Sequence, residues 1–181
     1  MEELIKRSLQ GDQDAYIKLI ESIQVEMYKI ATSQLNNIDD INDVIQETIM
    51  HSYDKLHTLK NFNYFKTWII RILINECNII HRKRKKQLGL FNKISNSVDN
   101  STYTNNIFQE VESNIDFDLL IQHLNYNERL IFTLYYRNKY TPTEISNILN
   151  INVNTVKSRI YRAKQKIQNL YKKGGMHNEK K

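Results

Sequence analysis

The sequence contains few of the residues that cross-link a protein chain or bend it sharply. Among its 181 residues there are one cysteine, one proline and four glycines. The single cysteine, Cys77, excludes an internal disulfide, and its isoleucine neighbours favour a small core residue over a reactive thiol. Tight turns are therefore scarce. Because the apolar residues recur at helical rather than alternating spacing, we predict a chain of the all-α class.

Two further features are missing, a membrane-spanning run and a metal-binding pattern. The longest apolar stretch, residues 68–80, is shorter than a membrane span and contains Arg71 and Glu76. The segment 1–14 is acidic and lacks the apolar core of a signal peptide. The five histidines are scattered, without metal-ligand spacing to carboxylates or to the cysteine. We therefore expect a cytoplasmic protein with no membrane insertion, no metal, no cofactor and no catalytic residues.

Acidic and basic residues are unevenly distributed along the chain. Residues 1–60 carry a net charge of −5, and residues 96–128, which contain no Lys or Arg, carry −6. Residues 61–95 carry +7 and residues 129–181 carry +10. Two basic blocks separated by an acidic one indicate two surfaces that face a polyanion. Charge alone leaves the alternative of ordinary solvated basic faces equally open.

Helical periodicity predicts two helical domains joined by a flexible linker. The first domain covers residues 1–87 and the second covers residues 115–175. Residues 88–114 are rich in Asn, Ser and Thr and have no sustained apolar face, so we interpret them as the linker. Residues 176–181 form a charged tail that we expect to be disordered.

A helix-turn-helix is predicted near the C-terminus. Thr141, Pro142 and Glu144 form the start signal of a helix over 142–149. Asn150 stands in the following turn, where its tolerance of a left-handed backbone replaces that of glycine. The next helix presents on its outer face side chains suited to base edges and phosphates. These are Asn154, Thr155, Lys157, Ser158, Arg159, Arg162 and Lys166. The alternative is a helical hairpin with a solvated basic face.

The helix predicted over residues 40–56 has two distinct faces. One face is an apolar stripe of residues spaced three and four apart. The opposite face is acidic and comprises Asp43, Gln46, Glu47, Met50 and Asp54. Such a stripe suits a basic partner helix, although a solvated face is the simpler interpretation when the helix is taken alone.

A loop and a polar helix face follow. The loop over residues 59–65 mixes aromatic and amide side chains, which suits exposed bases of single-stranded nucleic acid. Within it, Phe62 and Tyr64 are the predicted base contacts, whereas we interpret Phe65 and Trp68 as core residues. The next helix places polar residues on one face, and these are Thr67, Arg71, Asn75, Asn78 and Arg82.

Several of these segments together resemble a known family. Residues 43–47 (DVIQE) and 65–72 (FKTWIIRI), with Asn75 and a basic run, are similar to the second conserved region of extracytoplasmic-function (ECF) sigma factors. Residues 140–145 (YTPTEI) and 153–164 (VNTVKSRIYRAK) are similar to the fourth region. The segment 11–16 (GDQDAY) resembles the opening of the family.

The resemblance implies an alternative sigma factor, a non-catalytic subunit that binds core RNA polymerase and directs promoter recognition, DNA melting and transcription initiation. The implied partners are the clamp helices of the largest polymerase subunit, the flap, promoter DNA and an anti-sigma factor. The clamp contacts would be Asp43, Gln46, Glu47 and Met50. The minus-ten contacts would be Leu59, Lys60, Asn61, Phe62, Asn63, Tyr64, Arg71, Asn75 and Arg82. The minus-thirty-five contacts would be Asn154, Thr155, Lys157, Ser158, Arg159, Arg162 and Lys164.

Two other classes of protein compete with this interpretation. A stand-alone helix-turn-helix regulator would dimerise on a palindrome, yet the sequence offers no obvious dimerisation helix and such a protein would not explain the first domain. A nuclease or another enzyme would need a cluster of ligands or catalytic groups that the sequence pattern does not predict.

Overall fold

The computed structural model describes residues 1–91 and 112–175, and their side chains over 1–87 and 117–170. The chain divides into two compact units, one containing residues 1–91 and the other residues 112–175. Every regular element of these ranges is helical. The predicted all-α class with two helical domains is therefore confirmed. The central part of the predicted linker, 92–111, and the predicted tail, 176–181, lie outside the described residues.

The N-terminal unit is built from four α-helices. They are α1 (Glu2–Leu9), α2 (Gln13–Gln34), α3 (Ile38–Lys55) and α4 (Phe65–Phe91). Asp12 caps α2, because its Oδ1 accepts a hydrogen bond from the Ala15 amide at 3.0 Å. The guanidinium of Arg7 binds the other oxygen of Asp12 at 2.6 and 2.9 Å, which fixes the turn between α1 and α2. Asn37 caps α3 by accepting from the amides of Asp39 and Asp40.

The core of this unit lies between α2, α3 and α4. The predicted apolar stripe of α3 faces it, and its most deeply buried members are Ile41, Val44, Thr48 and Ser52. The Tyr16 hydroxyl donates to the Ile49 carbonyl at 2.6 Å and lies 2.7 Å from Ser52 Oγ, so α2 and α3 are also joined by polar contacts.

Two sequence-based expectations for α4 are tested by its burial. Phe65 is fully buried, as predicted, whereas Trp68 is half-buried beside it. Cys77 is fully buried, and burial raises the pKa of its thiol to about 12. The interpretation of Cys77 as a core residue is confirmed.

The C-terminal unit contains four further α-helices. They are α5 (Glu112–Ile121), α6 (Tyr126–Phe132), α7 (Pro142–Leu149) and α8 (Val153–Gly175). A π-helical turn, Thr133–Arg137, continues α6. Capping boxes begin α6 at Asn125 and α7 at Thr141, and the box at Thr141 includes Pro142 in the first turn. Asn150 ends α7 in the left-handed conformation, with φ 52° and ψ 48°, as its position in the turn predicted.

The core of the C-terminal unit has two parts. Ile145, Ile148 and Val156 are buried where α7 packs on α8. A second cluster lies where α5 and α6 pack on α8, and it comprises Ile121, Leu124, Phe132, Ala163 and Ile167. Helical spacing in the sequence also predicts Leu149, Ile151 and Ile160 in this core, but they are only half-buried.

The helix ends differ from the predicted boundaries. Helix α4 continues to Phe91 and α5 begins at Glu112, so both helices extend into the segment 88–114 that was interpreted as linker. The basic run lacks apolar periodicity, but Lys, Arg, Gln and Leu have high helix propensity, and α4 therefore continues through them. Apolar spacing in the sequence also predicts a helix over about 127–137, and this helix is present as α6 together with the π-helical turn that follows it.

Candidate functional site

One candidate surface is the exposed acidic face of α3. Asp43, Gln46 and Glu47 are all exposed, and Met50 is 58% exposed. Tyr53, which the sequence analysis did not include, is 44% exposed one turn after Met50. The four predicted residues therefore share one accessible face, which we call the docking face. Its composition, with carboxylates around apolar side chains, suits a basic and partly apolar partner.

His51 connects the docking face to α4. Its Nδ1 lies 3.0 Å from Oε1 of Glu76, a side chain with only 14% exposure. Its Nε2 lies 3.8 Å from Oε2 of Glu47. The imidazole is therefore held between a carboxylate of α4 and a carboxylate of the docking face. Sequence reasoning missed this contact because Glu76 and His51 are far apart along the chain.

A second candidate surface is the loop that precedes α4. Lys60, Asn61 and Asn63 are exposed, as are Tyr64 and, in part, Phe62. Asn61 shapes the loop by accepting a hydrogen bond from the Asn63 amide at 3.0 Å.

The prediction for Leu59 needs correction. Its side chain is only 8% exposed, so it faces the core and not the outer surface of the loop. Apolar burial favours this position strongly over a solvated one. Leu59 therefore anchors the loop, and the predicted contact surface reduces to the five residues after it.

The polar face of α4 continues this surface. Arg71, Asn75 and Arg82 are exposed, and Arg82 Nε donates to the Asn78 carbonyl at 3.2 Å. In the basic run that follows, Arg84 forms an ion pair of 2.5 Å with Asp40 in the first turn of α3. The basic end of α4 is thereby fixed to the start of the helix that carries the docking face.

The third candidate surface is the outer face of α8. Asn154, Lys157, Ser158, Arg162 and Lys164 are exposed, whereas Thr155 and Arg159 are half-buried. Arg162 Nε donates to the Ser158 carbonyl at 3.3 Å, so its guanidinium lies along the helix surface. All seven predicted residues are therefore accessible at least in part.

Two residues of this face were missed. Tyr161 is 64% exposed, and Gln165 is exposed one turn later. Both follow Ser158 at helical spacing, at offsets of three and seven, which is the signal that would have found them.

Lys166 differs from the other outward residues of α8. Its Nζ lies 2.7 Å from both carboxylate oxygens of Glu128, in the first turn of α6. Burial raises the pKa of Glu128, but hydrogen bonds from Lys166 and the Asn125 amide and the charges of Lys166 and Arg162 outweigh it, so the pKa is lowered. The Glu128 carboxyl therefore remains ionised at neutral pH.

Neither a membrane-spanning helix nor a metal site is found among the described residues. Over 1–91 and 112–175, none of the helices combines the length and the apolar character that a bilayer span requires. Within the same part of the chain, no group of three or more His, Cys, Asp or Glu side chains is arranged to hold a metal ion.

Family models match both units. The model of sigma-70 region 2 matches residues 19–87, and the model of sigma-70 region 4 matches residues 115–167. The first range contains the docking face and most of α4, and the second contains α7 and the exposed face of α8. The chain belongs to the sigma-70 family. As a sigma factor, it acts in transcription initiation.

Relatives resemble this sigma factor over most of its length. It is 25% identical to the ECF RNA polymerase sigma factor SigW of Bacillus subtilis, over 93% of this chain and 97% of SigW. It is 26% identical to the ECF RNA polymerase sigma-E factor of Haemophilus influenzae, over 92% of each chain.

Two solved structures have the same fold as this sigma factor. CnrH, in complex with the cytosolic domain of CnrY, gives a TM-score of 0.69 at 21% identity, over 93% of this chain and 95% of that chain. RpoE of Bartonella quintana, in complex with the anti-sigma factor NepR, gives 0.72 at 20% identity, over 87% and 96%.

Proposed function

We propose that this chain is an alternative sigma factor of the ECF type that binds core RNA polymerase through its docking face and promoter DNA through two basic surfaces. The observation that carries the proposal is the presence, on separate helices, of an exposed acidic face on α3 and an exposed basic face on α8. The first suits the clamp helices of the largest polymerase subunit, and the second suits a major groove.

Helix α8 would recognise the minus-thirty-five element. Its predicted contacts include amide, hydroxyl and guanidinium groups, which pair with base edges, and Lys157 and Lys164, which add positive charge toward phosphates. The flap of the polymerase would hold this unit over the upstream element.

The loop before α4 would melt the minus-ten element. Tyr64 and the half-buried Phe62 offer aromatic faces on which an extruded base stacks. Extruding a base costs a few kcal/mol. Contacts of Arg71, Asn75 and Arg82 with the DNA would offset this cost, so binding energy rather than a chemical step would open the duplex. The chain itself would catalyse no reaction.

Regulation by a protein partner is part of the proposal. CnrH and RpoE of Bartonella quintana were solved with CnrY and with the anti-sigma factor NepR, respectively. We expect an anti-sigma factor to bind this chain, which we place in the cytoplasm, in competition with core polymerase.

The test is assembly with core RNA polymerase followed by transcription from a promoter library. Asp43→Ala/Glu47→Ala should lose core binding, because two carboxylates of the docking face are removed. Asp14→Ala/Glu21→Ala removes two exposed carboxylates of α2 and is the matched control. Equal binding by both double variants would contradict the role of the docking face.

The second arm of the test concerns α8. Arg162→Ala should weaken binding of holoenzyme to the upstream element by about 1–3 kcal/mol if the guanidinium contacts a base. Lys18→Ala, which removes one exposed charge from α2, is the control. Tight and specific binding of a palindromic duplex by a dimer without polymerase would instead favour a stand-alone regulator.

A further inference from the structure

Among the predicted outward residues of α8, Lys166 forms a close ion pair with another helix of the described C-terminal unit. Its ammonium group contacts both oxygens of Glu128 at 2.7 Å. Glu128 is only 9% exposed, whereas 51% of the Lys166 side chain remains exposed. Removing Lys166 would leave the mostly buried Glu128 carboxylate without its countercharge, which costs more than breaking an exposed ion pair.

Glu128 also takes part in the structure of α6. Its Oε2 accepts the amide of Asn125 at 3.2 Å, and its own amide donates to Asn125 Oδ1 at 3.0 Å. The carboxylate that fixes the first turn of α6 therefore also holds α8. Ile167, the residue after Lys166, packs in the core cluster that includes Phe132 of α6. Apolar packing at Ile167 and the ion pair at Lys166 therefore join α6 and α8 at two adjacent positions of α8.

We propose that Lys166 is a positioning residue, which sets the rotation of α8 so that its exposed face meets the bases, and that it is not a phosphate contact. The inference rests on the proposed reading of the minus-thirty-five element by α8. A rotation of about 20° moves atoms about 6 Å from a helix axis by about 2 Å. Binding geometries must hold within about 0.5 Å and 10–20°, so such a rotation would disrupt base contacts by Arg162 and Ser158.

A role of Lys166 as a phosphate contact predicts the opposite effect of Glu128→Gln on DNA binding. If Lys166 is a DNA contact that Glu128 only restrains, removing the carboxylate frees a cation and raises the net charge, and DNA binding tightens. If Lys166 positions α8, the same change loosens the helix, and specific binding weakens in spite of the added positive charge. Gln keeps an oxygen that can accept the Asn125 amide, so the start of α6 is preserved.

The experiment measures binding of full-length protein in holoenzyme to a duplex. The duplex is enriched by the wild-type holoenzyme from a pool randomised in the upstream element. Affinity is recorded for this duplex and for a scrambled one between about 50 and 200 mM salt. The variants are Lys166→Gln, Glu128→Gln, the double variant and Lys166→Arg, with Lys164→Gln as the matched control on α8. Circular dichroism melting establishes that each variant is folded at the temperature of the assay.

The proposal predicts that Lys166→Gln and Glu128→Gln each weaken binding to the enriched duplex by about fivefold to tenfold. Binding to the scrambled duplex should change little, and the double variant should be no worse than either single one. The salt slope should stay at the wild-type value for Lys166→Gln and fall by about 1 for Lys164→Gln. Lys166→Arg should restore most of the affinity.

Two results would overturn the inference. One is a salt slope for Lys166→Gln that falls as far as that of Lys164→Gln, which identifies a phosphate contact. The other is tighter binding by Glu128→Gln. If the wild-type holoenzyme enriches no upstream sequence at all, the proposed function of α8 fails. If the wild type does enrich a sequence but the Lys166 and Glu128 variants bind it with wild-type affinity, only the positioning role of Lys166 fails.

Discussion

Lys139 adopts a backbone conformation that favours glycine, with φ 62°. The left-handed conformation costs a residue with a Cβ atom about 1–2 kcal/mol, whereas the added entropy of the unfolded chain costs glycine only about 0.5–1 kcal/mol. We expect Lys139→Gly to raise the free energy of unfolding by about 0.5–1 kcal/mol in urea denaturation. Lys139→Ala, which removes the same charge and keeps the Cβ, should give no such gain. An equal gain from both variants would assign the effect to charge.

The Glu128 carboxyl makes the stability of the C-terminal unit depend on pH. Its pKa in the folded state is lowered from an ordinary value of 4.5. The stabilisation is therefore complete above the ordinary pKa and is lost as the pH falls through the lowered one. Urea denaturation between about pH 3 and pH 7 should show this loss in the wild type and a smaller loss in Glu128→Gln. Glu21→Gln, on α2, should keep the wild-type profile.

At the scale of elements, α7 depends on its first turn. The Thr141 hydroxyl accepts the Glu144 amide at 3.2 Å, and the Glu144 carboxylate accepts the Thr141 amide at 2.8 Å. Thr141→Ala should lower the free energy of unfolding by about 1 kcal/mol, as for other helix caps. Thr141→Ser keeps the hydroxyl and should stay near the wild-type value in the same denaturation experiment. A similar loss in both variants would point to the methyl group instead.

The elements that sequence reasoning predicted well are those with local signals. The capping box at Thr141 and the left-handed Asn150 each depend on residues within one turn of each other. The end of α4 at Phe91 was not predicted, because residues of high helix propensity extend a helix without any apolar periodicity. The π-helical turn after α6 likewise has no signature in spacing.

Within the candidate surfaces, exposure was easier to predict than pairing. Spacing placed Asp43, Gln46 and Glu47 on one exposed face, as the structure has them. It did not show that Leu59 turns inward, nor that Lys166 meets Glu128 across 38 positions of the chain. These outcomes depend on how helices pack, and residue spacing along one helix contains no information about its neighbour.

At the scale of the whole molecule, each of the two units has its own core, so we expect each unit to fold without the other. We expect fragments 1–91 and 112–181 each to be helical and to unfold cooperatively by circular dichroism. Fragment 1–91 should retain binding to core polymerase, since it contains the entire docking face, and fragment 112–181 should not compete for that site. A fragment that is unfolded on its own would show that the two units depend on each other.

The single thiol of this chain has a consequence for its reactivity toward oxidants. Attack on peroxides or disulfides requires a thiolate that solvent can reach, and Cys77 is fully buried with a pKa of about 12. The folded chain therefore offers no accessible thiolate to an oxidant that acts on other regulators through their cysteines. If transcription by this sigma factor follows the redox state of the cell, the sensing cysteine belongs to a different protein.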